Sequence, residues 1–143
     1  MVEKELLNQK LNALVLAKNK LSELNYNDEQ YDEIEDILHE LEDEFNEFFG
    51  DDLERILHDI HDEWCPDSEV LLPTAYLADR YFVDEEDTDG TVHYKFKKEM
   101  GTGVIVEMDD FPSVDTRLLL VPNPARIIFM LNSESKQELW RLK

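Results

Sequence analysis

Residues 27–66 read NDEQYDEIEDILHELEDEFNEFFGDDLERILHDIHDEWCP. Tyr31, Ile34, Leu38, Leu41, Phe45 and Phe48 recur at steps of three and four, the spacing of a helical seam. The pattern predicts a helix capped by Asn27, with Gln30 three residues on. Gly50 is expected to end or kink it. Asp51 and Glu54 then read as a capping box for a third helix, with Leu53, Ile56, Leu57, Ile60 and Trp64 on its apolar face. That helix stops at Cys65-Pro66, because the residue before proline avoids helical geometry. The alternative is one bent helix through Gly50, since a helical glycine costs only about 1 kcal/mol.

Upstream, Leu7, Leu11, Leu14, Leu21 and Leu24 form a stripe interrupted by Lys18, predicting a first helix over about residues 2–24. The 25–28 turn is short, so the first two helices should form an antiparallel hairpin.

Downstream the period changes. Val70, Leu71 and Leu72 end at Pro73, and residues 76–83 have aromatic and β-branched character. Val92, Tyr94 and Phe96 alternate with polar residues as a half-buried strand, with 84–90 as its hairpin loop. Gly101 and Gly103 turn into an apolar strand over 104–108, and 109–113 breaks the chain again. Residues 118–121 and 126–131 read as strands joined through Pro122-Asn123-Pro124. Ser135 with Glu138 suggests a cap for a short C-terminal helix packing Leu139, Trp140 and Leu142.

Helices first and strands afterwards argue for α+β. The expected architecture is an N-terminal antiparallel helical hairpin plus a third helix, packed on a mainly antiparallel sheet of about five strands. The expected organisation is a single domain, 1–143, with a helical part at 1–65 and a mainly β part at 69–143.

The 143 residues carry 35 acids and 14 bases, a net charge of -21. Eighteen of the acids fall in residues 28–67, where Arg55 is the single base. Such a charge opposes direct nucleic-acid binding and contact with anionic membranes. It fits a surface for a basic protein partner, with Asp32, Glu40, Asp43, Glu44 and Glu47 as its expected contacts. The start of the chain lacks the marks of a secretory signal, and the longest apolar runs are too short to span a bilayer. Cys65 is the single cysteine, so no intramolecular disulfide forms. A cytoplasmic protein, monomer or homodimer, is expected. Exposure of Phe45, Phe48 and Phe49 would point to the dimer.

A second reading is metal binding. Glu54, His58, His61 and Cys65 lie at steps of four, three and four on one helical stripe, and these ligand types suit Zn²⁺. Residues 35–45 and 54–64 match at six of eleven positions, including His39 and His58. The run Glu85-Glu86-Asp87-Thr88-Asp89-Gly90 resembles the start of an EF-hand loop, but Phe96 stands where the bidentate Glu belongs. The bland alternatives are half-buried histidines and an acidic hairpin loop, which need no cofactor. A third reading is an enzyme of unknown class with a pocket at the helix–sheet junction. Dinucleotide, P-loop, nucleophile-elbow and zinc-protease motifs are all absent from the sequence.

Overall fold

Asp28, not Asn27, caps the long helix: it is extended (φ -70, ψ 136), and its side chain accepts from the Gln30 amide at 3.0 Å. The computed structural model describes residues 4–96, 103–106, 116–131 and 135–142. Helix α1 is Lys4–Glu23 and helix α2 is Glu29–Trp64. A 3-10 turn at Pro73–Tyr76 leads to strands β1 (Phe82–Glu86), β2 (Val92–Lys95), β3 (Val104–Val106), β4 (Thr116–Val121), β5 (Arg126–Leu131) and β6 (Ser135–Arg141). The first two strands form an antiparallel pair. The other four form a separate antiparallel sheet in the order β3-β4-β5-β6.

This corrects the expected architecture in three places. The third helix does not exist, because α2 continues through Gly50 for 36 residues. Phe49 and Leu53 are buried on either side of the glycine, so core packing outweighs its intrinsic cost. The five-stranded sheet is instead two sheets. The C-terminal helix is strand β6, hydrogen-bonded along β5 from Leu131↔Ser135 to Arg126↔Arg141. A bulge there pairs Ile127 with Trp140 and Ile128 with Glu138, leaving Leu139 as the extra residue. Two adjacent apolar residues thereby become half-buried together, and the alternation that marks a strand is lost.

Smaller boundaries also shift. The acidic stretch expected as a loop from residue 84 remains strand through Glu86, and the turn begins at Asp87. Residue 2, the turn residues 101 and 102, the strand extension at 107–108 and the break at 109–113 lie outside the described residues.

At 1.5 Å per residue α2 is about 54 Å long and α1 about 30 Å. An ion pair between Lys10 and Glu44 marks their antiparallel register, placing the start of α1 about level with Gly50. Beyond that point α2 has the four-stranded sheet to cover. Leu53 and Leu57 meet Tyr76, Leu120 and Ile127, and the Trp64 ring lies 5.7 Å from that of Phe129. One apolar cluster runs from Leu7, Leu11 and Leu14 through Phe45 and Phe49 to the sheet residues Leu118, Leu120 and Ile127.

Candidate functional site

The outer face of α2 follows from its inner one. At about 100° per residue, Asp32, Glu40, Asp43, Glu44 and Glu47 fall within an arc of about 120°, opposite the buried Leu38, Phe45 and Phe49. Asp32, Glu40, Asp43 and Glu47 are exposed; Glu44 is half-buried and engaged by Lys10. Two large apolar side chains stand at the edge of this acidic arc: Ile37 is 42% exposed and Phe48 59%. Phe45 and Phe49 are buried, so of the three phenylalanines only Phe48 faces solvent.

The histidine stripe is split by the segment that follows the helix. His58 is exposed and Glu54 half-buried, whereas His61 and Cys65 lie in the core. The Tyr76 hydroxyl accepts from the Leu71 amide at 3.0 Å and lies 2.9 Å from His61 Nε2. The Ser68 carbonyl can only accept, so His61 Nδ1–H donates to it at 3.0 Å. Both ring nitrogens are thus engaged within the fold. Burial pushes the Cys65 thiol up to about 11, which disfavours the thiolate that a metal requires. Among the described residues no three His, Cys, Asp or Glu side chains are grouped so as to hold a metal ion.

The calcium-like loop is a hairpin turn. Asp87 Oδ2 bonds the His93 ring at 2.9 Å, and Asp89 Oδ1 accepts from the Thr91 amide at 3.0 Å. That amide holds the Asp89 carboxyl below its ordinary value. Its carboxylates thus serve the turn.

Sequence reasoning misses the polar seam joining α1 to the sheets. Asn8 Oδ1 accepts from the Ala125 amide at 2.9 Å. Asn12 and Asn123 exchange side-chain hydrogen bonds at 2.7 and 2.9 Å, and Asn123 also donates to the Tyr94 hydroxyl at 2.8 Å. Asn19 holds Tyr81 by both backbone groups, at 2.7 and 3.2 Å. Arg126, 3% exposed, donates to the carbonyls of Pro122 (2.9 Å), Pro124 (3.0 Å) and Val92. The visible signal was an arginine set against the apolar run of β5.

Open concavities lie elsewhere. A groove of ≈ 440 Å³ at the hairpin turn is lined by Lys18, Leu21, Tyr26, Tyr31 and Asp79. A polar groove of ≈ 610 Å³ lies between Asn8, Asp89, Asn123 and Arg141. A cleft of ≈ 130 Å³ separates β2 from β5 and β6. At the helix–sheet junction Leu53, Leu57, Pro73, Tyr76, Leu120 and Ile127 leave no room for a water molecule. Among the described residues no helix is long and apolar enough to cross a membrane. Comparison with family models, curated proteins and solved structures finds no match to this chain.

Proposed function

We propose that this is a protein-interaction module that engages a basic partner through the outer face of α2. The carrying observation is the acidic outer face of that helix. Over residues 32–47, about 22 Å of its length, it displays carboxylates on the side opposite the buried Leu38, Phe45 and Phe49. Surfaces that serve solubility alone mix both signs of charge, whereas residues 28–67 set eighteen acids against Arg55. Ile37 and Phe48 supply apolar contact beside the acids, so the best-fitting partner pairs Lys or Arg with a few apolar side chains. The single buried thiol is compatible with a reducing, cytoplasmic setting.

The test is capture of a basic partner on the immobilised protein, followed by a salt series. Affinity should fall steeply as ionic strength rises towards about 0.15 M, where the screening length is about 8 Å. A triple reversal, Glu40→Lys, Asp43→Lys and Glu47→Lys, should abolish capture. A partner whose affinity ignores both salt and the reversal would defeat the electrostatic reading.

A further inference from the structure

The guanidinium of Arg126 makes three hydrogen bonds, all to backbone carbonyls, through Nε and Nη2. Nη1 has no hydrogen-bond partner among the described residues, and the space Arg126 borders is the ≈ 130 Å³ cleft. Lys136 borders the same cleft, with its amine on the Tyr94 carbonyl and 5.5 Å from the centre of the Phe96 ring. The Val92 and Tyr94 carbonyls, which these cations hold, are two residues apart on one edge of β2, about 7 Å. Both cations thus flank one small space.

The other charged groups there are already matched. Glu138 accepts from Arg141 through Nε (3.0 Å) and Nη2 (2.9 Å), and His93 is bonded to Asp87 at 2.9 Å. Among the described residues no carboxylate lies within ion-pairing distance of Arg126 or Lys136. Desolvation lowers the proton affinity of both, while the charges of Glu138 and Asp87 act the other way on Arg126 and that of Asp84 on Lys136.

We infer that the cleft between β2 and β5–β6 binds a small oxyanion, its oxygens taken by Arg126 Nη1 and Lys136 Nζ. Its volume equals about four water molecules at ~30 Å³ each, enough for a phosphate or a short carboxylate and too small for a nucleotide. Tyr94, Phe96, Val121 and Ile128 also line the cleft, and their low polarity strengthens the charged contacts. The inference is independent of the acidic face, which lies on α2.

Amide NMR titrations with inorganic phosphate, acetate and chloride, at matched ionic strength, test it. Phosphate or acetate should give saturating shifts confined to β2, the start of β5 and β6, with chloride inert. Whichever oxyanion saturates at lower concentration identifies the natural ligand class. Lys136→Gln, at a position exposed enough to spare the fold, should weaken that binding about tenfold or more. Shifts that stay linear, that spread over the whole surface as for simple screening, or that survive Lys136→Gln unchanged would overturn the proposal.

Discussion

The polar residues on the outside of α2 and those at the seams between the helices and the sheets obey opposite rules. Outside, Glu40, Asp43 and Glu47 stand in water, and nothing in the fold requires their identity. Inside, His61, Tyr76, Asn12, Asn123 and Arg126 make hydrogen bonds to named partners within the fold, some local and some, such as Asn12 with Asn123, from opposite ends of the chain. A buried polar atom left unmatched costs about 1–3 kcal/mol, while an exposed one simply returns to water. The inner set therefore specifies how the elements meet, and the outer set is free for binding.

The sharpest way to break this contrast is Arg126→Met. Three carbonyls lose their donor, so the expected loss is about 3 kcal/mol or more, read as a lower denaturant midpoint. A loss below about 1 kcal/mol would mean that water replaces the guanidinium easily. His61→Ala comes next, at about 2–3 kcal/mol, because it removes the ring's hydrogen bonds to the Tyr76 hydroxyl and the Ser68 carbonyl from the core. Tyr76→Phe alone should cost about 1–1.5 kcal/mol, and the double variant should cost less than the sum of the two.

These inner contacts are also what the sequence hides. Asn12 and Asn123 are 111 positions apart, and no periodicity connects them. Asn123 reads as part of a turn, and indeed takes φ 64 there, but its second role depends on a helix at the other end of the chain. The His61 stripe looks like a ligand set because spacing records which side chains share a helix face, not what folds over it. Residues 66–76 cover His61 and Cys65 and leave His58 in solvent. Where one face alone sets the pattern, the reading holds better. The α2 seam buries Ile34, Leu38 and Phe45 as spaced, half-buries Tyr31 and Leu41 and leaves Phe48 exposed, and β5 occupies the expected 126–131. Gly50 and Leu139 mislead for one reason: a local signal worth about 1 kcal/mol yields to tertiary packing.

Cys65 sharpens the contrast through pH. Its folded thiol stands at about 11 against an ordinary 9.0, so the folded state binds the proton more tightly. Stability from this group is complete below pH 9 and falls as the pH rises towards 11, because the unfolded chain ionises first. Burial raises the Tyr76 hydroxyl as well, adding to the decline at the top of that range. Urea midpoints measured from pH 8 to 11 should fall for the native chain, and Cys65→Ala should flatten the first part of the slope. An unchanged slope would remove Cys65 from the buried set.

Gly50→Ala asks whether the continuity of α2 is incidental or required. A Cβ at this position meets only the Asn46 Cβ at 3.9 Å, an ordinary contact. The backbone is helical, so alanine should stabilise by up to about 1 kcal/mol. Destabilisation would mean that the helix bends at Gly50 in solution.

The smallest effect on stability should come from the outer face, and its smallness is what the comparison demands. Glu40 and Glu44 are four residues apart, as are Asp43 and Glu47, and such like-charge pairs destabilise a helix by about 0.2–0.5 kcal/mol each. Reversing Glu40, Asp43 and Glu47 to lysine turns the Glu40–Glu44 repulsion into an attraction, leaves positions 43 and 47 a like-charge pair, and removes no hydrogen bond that the fold uses. The variant should therefore match or slightly exceed the parent in melting temperature at low salt. The difference should shrink as salt screens the helix. Loss of partner capture with unchanged stability assigns these carboxylates to binding. A marked loss of stability would instead place the outer face among the groups that hold the fold, and the distinction between the two sides of α2 would fail.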